Sequence, residues 1–177
     1  QDADDYSKIE RFSILWDYME RNKDVDVLGT AMVLFDEFGE WGTRYPRYLE
    51  PDKLSFLKGT IVAHATTIMK RESVLNAGCY RVARETIRCE DLDLFMRMYA
   101  QGYIIRNINA ELYCVREDKS CYNRKKYSNR IKESIVKYKG FRLLRVPVWG
   151  YIYVIRPLIV GLIPSPIRLL IKKKMKH

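Results

Sequence analysis

The sequence predicts a mixed α/β domain followed by a basic helical tail. Three observations carry that expectation. Amphipathic helical stretches alternate with short β-branched runs through residue 118. Turn residues, Asp36-Glu37-Phe38-Gly39 foremost, close a hairpin and so require some antiparallel pairing. Charge then divides the chain: residues 1–118 hold 16 Lys and Arg against 21 Asp and Glu, whereas residues 119–177 hold 16 against one. A split of that size marks two zones, 1–118 and 119–177, in place of one uniformly basic protein.

The elements follow in order. Ser7-Lys8-Ile9-Glu10 reads as a capping box, opening a helix with Ile9, Phe12, Leu15, Trp16 and Met19 at helical spacing and an end near Asn22. Val25 to Phe35 reads as a largely buried strand, and Trp41 to Tyr45 as its return, stopped by Pro46. Pro51 suits the first turn of a short helix over Asp52 to Lys58. Ile61 to Met69 is apolar and β-branched and predicts a strand, leading to a helix over Glu72 to Ala77 with Gly78 at its C′ position. After a loop with Arg81, Arg84 and Arg88, Glu90 to Gln101 predicts a helix carrying Leu92, Phe95, Met96 and Tyr99 on one side. Tyr103 to Ile108 and Glu111 to Val115 predict two strands.

Composition bounds the class. With 177 residues, 47% hydrophobic and 31% charged, the chain can bury a core and is not a disordered segment. Cys79, Cys89, Cys114 and Cys121 form no C-x-x-C pair, and only His64 and His177 could join them, so no zinc site is expected. They read as reduced thiols of a cytosolic protein. The first thirty residues carry charge throughout, and no signal peptide is expected.

In the tail, Tyr122 to Lys139 predicts a basic helix, and Val146 to Ile171 is rich in Val, Ile, Leu, Trp and Tyr but broken by Arg156, Pro157, Pro164, Pro166 and Arg168. The charge-free run Val146 to Ile155 is too short to cross a bilayer, which takes about 20 apolar residues. An apolar segment with aromatic residues, ending on Lys172-Lys173-Lys174-Met175-Lys176, suits a helix lying in a membrane interface. Packing on the globular core is the other reading. No nucleic-acid-binding motif is present, and nucleic acid is not an expected partner.

Two acidic clusters carry the chemistry. Asp2-Ala3-Asp4-Asp5 crowds three carboxylates into four residues, an arrangement that a divalent cation would stabilise. Hard oxygen donors suit Mg²⁺ or Mn²⁺ on a diphosphate. Taken alone, the cluster reads first as an acidic terminus with a helix cap behind it. Glu90-Asp91-Leu92-Asp93 opens a helix, where the macrodipole by itself favours acids. As a pair, one cluster can hold a metal while the other removes a proton.

Several blocks, in order and spacing, give the chain a wider likeness. They are Asp2-Ala3-Asp4-Asp5-x-Ser7 with Arg11, Asp24-Val25-Asp26-Val27-Leu28-Gly29, His64-Ala65-Thr66, Arg71 to Leu75 through Gly78-Cys79-Tyr80-Arg81, and Glu90 to Arg97 continuing to Gly102-Tyr103. Over residues 1–118 the chain resembles the C-terminal two thirds of a family 2 glycosyltransferase with the GT-A fold. The resemblance implies an inverting transfer from a nucleotide-sugar donor, a UDP-sugar, to a lipid-linked or surface-polysaccharide acceptor. It implies that Asp4 and Asp2 bind the metal and the nucleotide, that Asp91 is the general base, and that Glu90 positions it or touches the acceptor. Arg124, Lys125 and Lys126 fall where a mobile family loop helps hold the diphosphate, with surface solvation as their other reading; His64 falls where the acceptor pocket lies, with a hydrogen-bonded structural histidine as its other reading. A bacterial enzyme peripheral to the inner face of the membrane is the expected setting.

Members of that family carry a further βαβ-type unit ahead of the Asp-x-Asp, and the 177 residues contain none. The resemblance therefore implies an incomplete fold with an open strand edge, weak donor binding and no turnover by this chain without its missing half. The competing expectation is a non-catalytic remnant or binding module that keeps the acceptor side and the membrane-docking tail.

Overall fold

A computed structural model describes residues 2–117 and 127–162. The domain boundary expected at 118/119 and the cations Arg124, Lys125 and Lys126 lie outside the described residues, as does everything beyond Leu162. The strands are β1 (Tyr6–Ser7), β2 (Val25–Asp36), β3 (Gly39–Arg44), β4 (Ile68–Met69) and β5 (Ile104–Arg116). The helices are α1 (Arg11–Arg21), α2 (Arg71–Asn76), α3 (Glu90–Ala100), α4 (Tyr127–Leu143) and α5 (Ile152–Leu162). The sheet is mixed, in the order β1-β5-β2-β3 with β4 also on β2. β2 runs parallel to β5 and antiparallel to β3 and β4, and β1 is antiparallel to β5.

Most elements lie where periodicity placed them, and the exceptions have local causes. Ser7 is on β1 and forms no capping box; its hydroxyl accepts from Arg11 Nη1 at 2.8 Å, and Glu10 caps α1 without a side-chain bond. The inward stripe of α1 is Arg11, Leu15 and Met19, while Phe12 and Trp16 stand 65% and 62% exposed. Arg11 can take the inward position because Ser7, the Ala65 carbonyl (3.0 Å) and the ring of Tyr113 (4.4 Å) receive its guanidinium. A polar residue on the buried stripe rotated the helix away from the face that apolar spacing suggests.

Ile61 to Met69 is strand only at β4. The Thr66 hydroxyl donates to the Ala63 carbonyl and accepts from the Thr30 amide, and the Thr67 hydroxyl donates to the His64 carbonyl. Those bonds curl His64–Thr66 into a 3₁₀ turn, a competition that Thr often wins against a ladder. The two strands expected at 103–115 are one, β5, with residues 109 and 110 bulged between the pairs Thr30↔Ile108 and Ala31↔Glu111. Lys53–Lys58 is a 3₁₀ helix, capped by Asp52, whose carboxylate accepts from the Ser55 amide at 2.8 Å.

Leu15, Met19, Val25, Leu28 and Leu112 form one apolar cluster beneath α1. A larger one joins Val27 and Ile105 to α3, α4 and the 3₁₀ helix through Phe56, Leu57, Leu94, Phe95, Met96, Val136 and Phe141. α3 is buried on most sides, as a central helix must be. Gly140 lets α4 approach it, since a Cβ there would sit 2.1 Å from Met96 Sδ. The basic zone thus begins, within the described residues, with a helix packed into the same core. Asp26 ties three elements together: its carboxylate accepts from Ser73 Oγ of α2 at 2.6 Å and from the Ile104 amide of β5 at 2.8 Å.

Candidate active site

The loop before α3 aims its first turn. The Thr86 hydroxyl donates to the Arg81 carbonyl (2.7 Å) and accepts from the Ala83 amide (3.1 Å), folding the loop on itself. Arg88 adopts φ 69°, a left-handed conformation, and its amide donates to Glu90 Oε1 at 2.9 Å. Glu90 is exposed and serves this turn. Asp91 Oδ1 accepts from the Leu92 amide at 2.8 Å. Asp93, two residues on, is buried and bound by Arg81 Nη2 at 2.8 Å and Arg97 Nε at 2.9 Å. Arg97 also donates to the Ala77 and Cys79 carbonyls, which locks the turn after α2 to α3. The three acids of this cluster therefore do different work.

Asp91 opens into a cleft of about 540 Å³ whose walls include Thr30, Tyr45, Tyr48, Thr60, His64 and Asn107. His64 Nε2 lies 2.6 Å from the Tyr80 hydroxyl, with its ring edge-on to Tyr80 and Phe95. Burial, and then the charge of Asp91, pushes the Tyr80 phenol above its ordinary value, so it stays neutral. Asn107 builds the opposite wall. Its Nδ2 donates to the carbonyls of Tyr48 (2.8 Å) and Ile61 (3.0 Å), and its amide donates to the Leu49 carbonyl (2.8 Å). Gly29 leaves room for this: a Cβ would meet Val62 Cγ2 at 2.1 Å and Asn107 Oδ1 at 2.4 Å.

The N-terminal acids form a separate turn. Asp5 donates its amide to the Asp2 carbonyl at 3.3 Å, and its carboxylate accepts from the Arg116 amide at 2.9 Å, so Asp5 is structural. The Asp2 amide donates to the Tyr113 hydroxyl at 3.2 Å. Asp2 and Asp4 hold their carboxylates in solvent and do not line the cleft of Asp91. The link between the two sites runs through Tyr113, Arg11 and the Ala65 carbonyl, one residue from His64. Among the described residues no three His, Cys, Asp or Glu side chains converge on a metal position. Two exposed carboxylates nevertheless suit a hard divalent cation that completes its shell with diphosphate oxygens and water.

Asp93, Arg97, Asn107 and Arg11 hold the site together and were not read as site residues from the sequence. The i,i+4 spacing of Asp93 and Arg97 was the available signal. Asn107 gave none, being one polar residue in a strand.

No protein-family model matches the chain. It is 35% identical over 168 residues, 94% of its length, to EpsE of Bacillus subtilis (strain 168), a protein named as a glycosyltransferase. It is 27% identical over 139 residues, 78% of its length, to the amylovoran biosynthesis glycosyltransferase AmsE of Erwinia amylovora. The chain spans 60% of the first and 51% of the second. Over most of its length, then, the sequence is similar to parts of bacterial proteins named as glycosyltransferases.

Proposed function

We propose that the chain is the acceptor-side part of a bacterial surface-polysaccharide glycosyltransferase of family 2 and GT-A type, which transfers a sugar from a UDP-sugar with inversion. The observation that carries the reading is Asp91 at the mouth of a cleft, on the first turn of a helix whose neighbouring acids are committed elsewhere. An acceptor hydroxyl enters the cleft, and Asp91 takes its proton. The acceptor oxygen then bonds to the anomeric carbon as the bond to the diphosphate oxygen breaks on the opposite face. Base assistance of this kind contributes about 10²–10⁴-fold. The Leu92 amide orients Asp91, and Glu90 shapes the turn that presents it. A Mg²⁺ or Mn²⁺ ion held by Asp2 and Asp4 would offset the charge developing on the leaving diphosphate.

The chain spans 60% and 51% of the two relatives, so the reading is tested at their full length. The test is Asp91→Asn in an enzyme extended to the relatives' length. Transfer should fall at least about 100-fold while UDP-sugar binding with Mn²⁺ stays within about twofold. Loss of donor binding with transfer would remove Asp91 from the role of base. Donor binding without turnover in the unsubstituted protein would favour the binding-module reading.

The reading includes docking at the inner face of the membrane. Val148, Ile152, Ile155, Ile159 and Leu162 recur every three or four residues and, with Trp149, are 51–88% exposed, while Pro157 and Gly150 face the core. No acid follows Glu133 in the sequence, and Arg142, Arg145 and Arg156 are exposed around this row. Among the described residues no helix is long and apolar enough to cross a membrane. The exposed apolar row with arginines around it suits α5 lying along an anionic lipid surface. Flotation with anionic vesicles but not with zwitterionic ones, lost in Ile155→Asn/Ile159→Asn, is the expected result. Equal recovery of the variant overturns the docking face.

A further inference from the structure

The walls of the Asp91 cleft carry more positive charge than binding a neutral sugar requires. Arg44, Arg47 and Lys58 line it, and among the described residues Asp91 is its one lining carboxylate. Arg44 is paired with Glu117. Arg47 and Lys58 are not: neither has a hydrogen-bond or ion-pair partner among the described residues.

Both stand on backbone that is held in place. Arg47 follows Pro46, and the two carbonyls after it, of Tyr48 and Leu49, accept from the side chain and the amide of Asn107. Lys58 ends the 3₁₀ helix that Asp52 and Ser55 cap, and Gly59 turns the chain with φ 131° toward Ile61, whose carbonyl accepts from the same Asn107 side chain. One buried asparagine thus sets two unpaired cations, from two loops, in the walls of the cleft that Asp91 opens into. Both side chains are exposed and without a protein anion, on backbone that the fold holds beside the cleft, which leaves their charge available to a ligand anion.

We propose that the acceptor sugar carries an anionic group, a phosphate ester or a carboxylate, and that Arg47 and Lys58 bind it while Asp91 addresses a hydroxyl of the same molecule. Arg47 offers a planar fork to two oxygens and Lys58 a point charge. The role given to Asp91 rests on the proposed transferase function; the anion site stands on its own geometry.

The experiment is an amide NMR titration of the ¹⁵N-labelled chain at constant ionic strength with glucose 1-phosphate, glucuronate and glucose. One or both anions should shift the amides of residues 47–49 and 58–62, and glucose should not. The Arg47→Gln/Lys58→Gln variant, which removes no bond within the protein, should give an otherwise superimposable spectrum and bind at least about tenfold more weakly, as loss of charge-assisted hydrogen bonds requires. The stronger of the two anions identifies phosphate or carboxylate as the group. Shifts confined to residues 119–177, equal shifts with glucose, or unchanged affinity in the variant would each overturn the proposal. Titration with UDP and Mn²⁺ at Asp2 and Asp4 reports on the donor side separately, so failure there is distinguishable from failure of the anion site.

Discussion

The side-chain amide of Asn107 lies 2.8 Å from the carbonyl oxygen of Tyr48, and that bond ties an irregular loop to the centre of the sheet. The same nitrogen serves Ile61, so one side chain satisfies two carbonyls that no ladder reaches. Asn107→Ala leaves both without a donor in a residue position that is 3% exposed. The expected loss is about 2 kcal/mol of unfolding free energy, read from urea denaturation, with faster hydrogen exchange across residues 45–63. A loss confined to global stability, with exchange in those loops unchanged, would argue against Asn107 as the tie.

This position also shows where sequence reading stopped. α3 and the β2–β3 hairpin were legible because their side chains repeat with the period of their own backbone. The cleft walls have no period. Residues 45–50 and 59–66 are shaped by side-chain bonds to backbone: from Asn107, 59 positions from Tyr48 and 46 from Ile61, and from Thr66, 36 positions from Thr30. Arg11 misled in the other direction, since a buried cation on the inward stripe of α1 looks, in sequence, like the polar face. Asp91 was singled out by its place in a set of blocks, and spacing alone could not separate it from Asp93.

That separation is itself testable. Asp93 is 7% exposed and answers two arginines, so Asp93→Asn leaves Arg81 and Arg97 short of a buried counter-charge. Breaking a buried pair from one side costs about 3 kcal/mol, and thermal or urea denaturation should show a loss of that order. Asp91, half-buried at the cleft, should cost less than about 1 kcal/mol when changed to Asn. Equal losses at the two positions would contradict the division of labour between them.

Glu85 joins the loop before α3 to α4. Lys139 at 2.7 Å, then the backbone amide of Glu85 itself, then Arg81 at 3.0 Å, hold its carboxyl down at about 2 from an ordinary 4.5. A carboxyl depressed in the folded state stabilises above its unfolded value and loses that contribution as pH falls through the folded one. Glu85→Gln should therefore melt below the wild type at pH 6, with the difference shrinking between about pH 4.5 and pH 2. A gap that stays constant over that range would show that the ion pairs contribute nothing.

Cys89 sets two effects against each other. It caps α3, and a helix N-terminus ordinarily favours thiolate. Burial, followed by the charges of Glu133, Asp91 and Glu90, opposes this and pushes the thiol up to about 12. The opposing effects win, and at pH 8 the neutral thiol is the dominant form. Native alkylation with iodoacetamide at pH 8, read by peptide mass spectrometry, should spare Cys89 and label the more exposed Cys79 first. Labelling of Cys89 at the rate of Cys79 would mean that the first turn of α3, and with it the setting of Asp91, opens far more often than its packing implies.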